Sequence, residues 1–191
     1  MSLSTRELVL ASLFTALMCV VTIIVRALQP VVVIPFSLQP LIMLLAACLL
    51  PPRGAFLSML AYLCLGLMGI PVFSSPPYGG PGYVLMPSFG FLLAFPIAAY
   101  VQSRLIRKMS LPYFLGAGFI AVIILYLIGL PYMYLILNFY LGKAMDVMQI
   151  LKIGFFPFIT FDLLKIVVAS LLALELSRRL DLKREFNNTE A

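Results

Sequence analysis

The sequence contains no histidine and no tryptophan, and only 10% of its residues are charged. Without histidine it lacks the commonest transition-metal ligand and the usual general base near neutral pH. Its three cysteines, Cys19, Cys48 and Cys64, lie inside apolar stretches and form no CxxC pair, so they read as small buried residues. A phosphate-binding loop is missing too. The nearest fragment, LGKAM, has Gly142 and Lys143 but no first glycine, and Ala144 stands where Ser or Thr is required. The expectation is a protein with no cofactor and no metal, not an enzyme, and unable to hydrolyse ATP by itself.

What is present is apolar. Hydrophobic residues make up 63% of the 191 positions, and the mean hydropathy is +1.13. Soluble chains carry about a quarter charged residues, so a soluble domain is excluded. The apolar runs are long and compact rather than short and alternating, which predicts membrane helices and not a barrel. The first run, Leu8 to Leu28, is too long for the apolar part of a signal peptide.

Six segments follow from the pattern, making one all-helical transmembrane domain over 1–191: roughly 6–28, 38–50, 54–68, 89–105, 111–141 and 155–176. Pro30 ends the first, Pro35 and Pro51-Pro52 bracket the second, and the fifth is long enough to tilt or kink at Pro131. A polar tail, 177–191, reads as part helix and part disordered. Segments two and three are too short for about 30 Å of hydrocarbon, so they must be tilted, extended by their flanks or stopped against protein. Short, Pro-interrupted segments point to a binding cavity. The basic residues set the orientation. Arg6, Arg53, Arg104, Arg107, Lys108, Arg178, Arg179, Lys183 and Arg184 fall on one side, and Arg26, Lys143 and Lys152 on the other. This bias predicts both termini in the cytoplasm. The uncharged loop GIPVFSSPPYGGPGYVLMPS and the connection LGKAMDVMQILK then face outward.

Segment six holds the sharpest signal. In FPFITFDLLKIVVASLL, Asp162 and Lys165 lie on one helix face at i, i+3, in the outer half of the membrane. A charge there costs roughly 2.5–3.5 kcal/mol or more, so it needs a partner or a purpose. One reading is a self-paired bridge that merely survives inside the bundle. The other is a recognition pair in an outward pocket, offering a carboxylate acceptor and a three-donor ammonium to a small polar ligand. A proton or ion relay usually needs several acids along a path, whereas Asp162 is the only acid well inside a segment. Phe73, Tyr78, Tyr83 and Phe89 offer flat walls around such a pocket, and Gly79, Gly80 and Gly82 permit close backbone approach. Gln39 is a lone polar side chain at the start of a short segment. It is either a pocket contact or a cap for backbone groups freed by Pro35. Segment one carries small residues, Ala11, Ser12, Thr15 and Ala16, at i, i+4, a spacing that lets another helix come close.

The elements IPFSLQPL, PPRGAFLSMLAYLCLGLMGIPVF, MPSFGFLLAF and GFFPFITFDLLK, in this order from about Pro35 to Lys165, resemble the BioY family. The resemblance implies a substrate-binding S component of an energy-coupling factor (ECF) vitamin transporter in a bacterial plasma membrane. It would have six helices, a pocket open to the outside and biotin as ligand. It also implies partners, namely a transmembrane coupling protein and two cytosolic ATPases, with segment one as the docking surface. Asp162 and Lys165 become ligand contacts, joined by Gln39 and Ser88. Where the family prefers PTGGY, this chain has Pro87-Ser88-Phe89-Gly90-Phe91. A related carboxylate-tailed compound, such as lipoate or a biotin precursor, therefore remains an alternative, taken up by an S component or by a secondary transporter.

Overall fold

A computed structural model describes residues 4–28 and 37–179. Pro30 and Pro35, the expected limits of the first two segments, lie outside the described residues, as do Lys183, Arg184 and the tail from 180. Among the described residues the secondary structure is entirely helical.

Local chemistry sets each helix. α1, Thr5–Leu28, opens on a reciprocal cap: the Glu7 carboxylate accepts from the Ser4 N–H at 2.8 Å, and Ser4 Oγ accepts from the Glu7 N–H at 3.2 Å. α2, Gln39–Leu49, and α3, Pro52–Leu67, each carry proline in the first turn, where a missing N–H costs nothing. Between them Leu50 and Pro51 are extended. α4, Phe89–Leu105, tolerates Pro96 inside it. α5, Leu111–Leu135, runs past Pro131 and widens into a π-helical turn, Ile136–Tyr140.

A further helix, α6, Val147–Gly154, stands where the sequence reading had only a connecting loop. The reason is local. Asp146 accepts from the Gln149 N–H at 2.7 Å, and the Gln149 side chain accepts from the Asp146 N–H at 2.9 Å, so the cap nucleates a short amphipathic turn. α7, Phe156–Arg179, follows.

α2 is the hub. It packs against α7, α4 and α1, while α1 leans on α3, α3 on α4, α4 on α5 and α5 on α7. Nine of its eleven residues are buried, as expected for a helix apolar on every side. Its shortness therefore has a structural answer: its ends stop against protein. Ser103 of α4 donates to the Leu50 carbonyl at 2.6 Å, and Gln102 donates to that of Leu44 at 3.0 Å. Among the described residues three helices, α1, α5 with its π turn and α7, are long and apolar enough to cross a membrane. Their outward faces leave Val9, Leu13, Leu127 and Leu164 exposed, surface that lipid would cover.

The segment between α3 and α4 folds back on the bundle. Phe73 lies so close to Gly66 that a Cβ there would stand 2.1 Å from the ring. The Gly80 N–H donates to the Gly66 carbonyl at 2.7 Å, and Tyr62 Oη donates to the Val72 carbonyl at 2.8 Å. A 3₁₀ turn, Pro81–Leu85, then buries Tyr83 completely.

Candidate binding site

Asp162 and Lys165 sit in the second and third turns of α7, both 6% exposed. Lys165 Nζ donates to Asp162 Oδ1 at 2.8 Å. Tyr126 of α5 donates its hydroxyl to Oδ2 at 2.5 Å. Two helices thus converge on one carboxylate. Each carboxylate oxygen has a second lone pair, so the group still has capacity for two more donors. Ordinary chain geometry places the pair. The i, i+3 spacing points both side chains to the α2 and α5 side of α7, where Gly118 of α5 lets Ile166 come close: a Cβ there would be 3.0 Å from Ile166 Cγ2.

Aromatic rings build outward from this carboxylate. Tyr126 meets Phe91 edge-on at 5.9 Å between centroids and Phe155 at 4.9 Å. Phe91 has room because a Cβ on Gly129 would lie 2.4 Å from its ring. Two residues earlier on α4, Phe89 contacts Tyr132 at 6.0 Å and Tyr83 at 6.2 Å. Tyr83 stacks on Phe73 at 4.4 Å, and Phe73 on Tyr62 at 5.6 Å. Gln39 closes the series by donating to Tyr62 Oη at 2.5 Å while accepting from Ser37 Oγ at 2.9 Å. The ring contacts thus form two groups: one runs from Tyr62 to Phe89 and Tyr132 beside the first turn of α2, and the other, Phe91, Tyr126 and Phe155, surrounds the charged pair on α7.

The structure brings Gln39, Phe73, Tyr83 and Phe89 into the first group, whereas Asp162 and Lys165 sit with the second. Tyr78 is set apart. It adopts a left-handed φ of 66° and stacks under Arg26, whose guanidinium carbon is 4.3 Å from the ring centre. Ser88 is half-buried at the start of α4 and makes no side-chain cap. Gly79 does allow close approach, but of backbone: a Cβ there would meet the Ile70 carbonyl oxygen at 2.5 Å. The small residues of α1 divide. Ala11 and Thr15 are buried, and Thr15 Oγ1 donates to the Ser58 carbonyl of α3 at 2.9 Å; Ser12 and Ala16 are exposed.

Sequence reasoning missed Tyr126 and Tyr62, and it noted Phe91 only as a departure from the family's PTGGY element. Tyr126 had a usable signal: it is a hydroxyl inside the long apolar run GFIAVIILYLIGL, and a polar tip at that depth needs a partner. Tyr62 had none, because rings in apolar segments are ordinary core.

Comparison with known proteins bears on what this arrangement serves. The family model described as "BioY family" matches residues 1–182. A probable biotin transporter BioY of Lysinibacillus sphaericus is 37% identical over 173 residues, covering 89% of this chain and 86% of that protein. The biotin transporter BioY of Thermotoga maritima is 37% identical over 180 residues, 94% and 99% of the two chains. The crystal structure of the S component for biotin from an ECF-type ABC transporter superposes with a TM-score of 0.64 at 21% identity, covering 93% of this chain and 95% of that one. At that identity the likeness concerns the fold.

Proposed function

The chain belongs to the BioY family, and from that premise we propose that it is the substrate-binding S component of an ECF-type transporter, capturing biotin outside the cell membrane. The observation that carries the reading is the Asp162 carboxylate, buried in a membrane bundle yet held by Lys165 and Tyr126 with acceptor capacity to spare. Biotin's ureido ring offers two N–H donors beside a carbonyl. Asp162 accepts from the N–H groups and Lys165 donates to the carbonyl, each bond charge-assisted. The rings of Phe73, Tyr83, Phe89, Phe91 and Tyr126 supply apolar walls for the thiophane ring and the valeryl chain, as small-molecule sites generally do. Ser88 and Gln39 add polar contacts at the edges of that wall, and Tyr78 stands at its outer rim.

The same reading orients the molecule. With six crossings, the bias of basic residues at Arg6, Arg53, Arg104 and Arg178 supports both termini in the cytoplasm and the α3–α4 connection facing outward. Having no phosphate-binding loop of its own, the chain relies on partners for energy: a transmembrane coupling protein and two cytosolic ATPases. The exposed small residues Ser12 and Ala16 of α1 are the proposed approach surface for the coupling protein.

The test is calorimetric titration of the purified, detergent-solubilised protein with biotin, lipoate and dethiobiotin. One-to-one saturable biotin binding, lost in a folded Asp162→Asn variant, is the expected result. Tighter binding of lipoate or dethiobiotin than of biotin would reassign the substrate, and unaltered biotin binding in Asp162→Asn would remove the charged pair from the site.

A further inference from the structure

The short helix α6 joins two of the helices long enough to cross a membrane. The first span, α5 with its π turn, runs Leu111–Tyr140, and the second, α7, begins at Phe156. Gly154, the last residue of α6, presses on α5: a Cβ there would stand 3.0 Å from Leu130 Cδ2 and 3.0 Å from Met133 Sδ. Leu130 and Met133 precede Tyr140 by roughly 10–15 Å along the helix axis. α6 therefore descends beside α5 and does not stand above its tip. The 30-residue span measures about 45 Å, against about 30 Å of hydrocarbon. Even if all the excess protruded at this end, the hydrocarbon boundary would fall beside Pro131, level with Gly154. Tilt, or protrusion at the opposite end, only takes Gly154 deeper.

The side chains of α6 are sorted to match that position. Ile150 and Gly154, one turn apart, are buried against the bundle. Met148 and Ile153 flank this stripe and are 52% and 45% exposed, with Val147 at 65% ahead of them. Gln149 and Lys152 make the opposite, polar ridge. The apolar exposure continues into both neighbouring spans, through Tyr140 at the end of one and Phe156 at the start of the other. Between the spans two lysines, Lys143 and Lys152, stand against one acid, Asp146. Both lysines are exposed, and among the described residues neither pairs with a carboxylate.

We infer that α6 is an interfacial anchor that binds anionic phospholipid. It lies in the layer between headgroups and acyl chains, at the end of the bundle that carries the α3–α4 connection. Met148 and Ile153 enter the upper acyl region, and Lys143 and Lys152 reach up to lipid phosphate, as long basic side chains do at this depth. Under the orientation given above, this is the outer leaflet. The anchor does not depend on which ligand the protein takes. It does bear on the binding site, because α6 leads directly into Phe155, whose ring packs on Tyr126, the partner of Asp162.

The chain has no tryptophan, so one introduced indole reports its own surroundings. Met148→Trp and Ile153→Trp, both at exposed positions, are each reconstituted into vesicles of phosphatidylcholine and phosphatidylglycerol. The lipids carry bromine either near the headgroup or deep in the acyl chain. Leu164→Trp, on the exposed face of α7, is the deep reference, and acrylamide is the aqueous quencher. The expected result is that shallow bromine quenches the two α6 indoles more than deep bromine does, with the order reversed for Leu164→Trp. Quenching of both α6 indoles by acrylamide alone would leave the helix in water and overturn the anchor. Stronger quenching by deep bromine would bury α6 in hydrocarbon and overturn it as well. The lysines are tested by thermal unfolding in neutral micelles with and without added phosphatidylglycerol. The lipid should raise the midpoint of wild type more than that of the Lys143→Gln, Lys152→Gln double variant. An equal rise in both proteins would take the phosphate contact away from these lysines and overturn the claim that α6 binds anionic lipid.

Discussion

Tyr126 and Asp162 meet across the α5–α7 interface, the phenol donating to the carboxylate oxygen that Lys165 does not hold. A carboxylate pinned from two helices cannot rotate freely, so its remaining lone pairs keep a fixed direction. That is preorganisation in a plain sense: the acceptor is aimed before a ligand arrives. The tyrosine ring does a second job, since it packs against Phe91 of α4 and Phe155 between α6 and α7. Chemistry and packing are carried by one side chain.

Tyr126→Phe separates those jobs. The ring contacts with Phe91 and Phe155 persist, and the hydrogen bond to Asp162 is lost. A hydrogen bond to a charged group is worth about 1.5–3 kcal/mol, so thermal unfolding in detergent should show a loss in that range. Biotin titration should show weaker binding, because the carboxylate is no longer aimed. Full affinity alongside the stability loss would make Tyr126 a packing residue with no part in recognition.

Asp162 and Lys165 should behave as a unit. Asp162→Asn or Lys165→Met alone leaves a buried charge without its partner, a change that typically costs about 3–5 kcal/mol. The double variant removes both charges and should regain most of the stability of wild type while binding no biotin. Unfolding of all four proteins completes a double-mutant cycle. Additive losses would show that the 2.8 Å contact is not an energetic pair.

The helical, membrane-embedded character of the chain was legible because it depends on composition summed over long windows, and summing averages out local accidents. The charged pair was legible for the opposite reason: two charges in an apolar run have few explanations. α6 was not, because an eight-residue helix has no window to average over and its evidence is the two-residue cap Asp146 and Gln149. The aromatic clusters were only half legible. Phe73, Tyr83 and Phe89 drew notice from their place in or beside a charge-free loop and Phe91 from its departure from the PTGGY element, whereas Tyr62 and Tyr126 pack through contacts between helices that spacing along one chain does not encode. Arg26 read as an orientation marker, and its stacking on Tyr78 depends on how the α3–α4 connection folds back.

Gly90 is where the substituted Ser88-Phe89-Gly90-Phe91 element meets α5. A Cβ there would stand 2.4 Å from Tyr132 Cβ, a distance real atoms do not adopt, so α4 and α5 would have to separate. Gly90→Ala should destabilise by about 1–3 kcal/mol, the usual range for overpacking. Because Phe89 and Phe91 flank it, biotin affinity should fall as well. Ligand titration and thermal unfolding of the same preparation check both. A variant as stable as wild type would mean that the two helices have slack at this contact.

The two faces of α1 give the final prediction. Thr15 points inward and donates to the Ser58 carbonyl, and Ala11 is buried beside it, so these two hold α1 on α3. Ser12 and Ala16 are exposed among the apolar side chains of Val9, Leu13 and Val20, with nothing packed on that face among the described residues. A bulky residue at an exposed small position blocks close helix approach without disturbing the interior. Ala16→Trp should therefore fold and bind biotin like wild type, yet lose co-purification with the coupling protein and lose ATP-driven uptake in reconstituted vesicles. Thr15→Leu should instead destabilise the protein itself by about 1–3 kcal/mol through overpacking. Normal uptake by Ala16→Trp would move the docking surface off this face. Loss of biotin binding in the same variant would mean that α1 supports the pocket directly and that its outer face is not a separate docking surface.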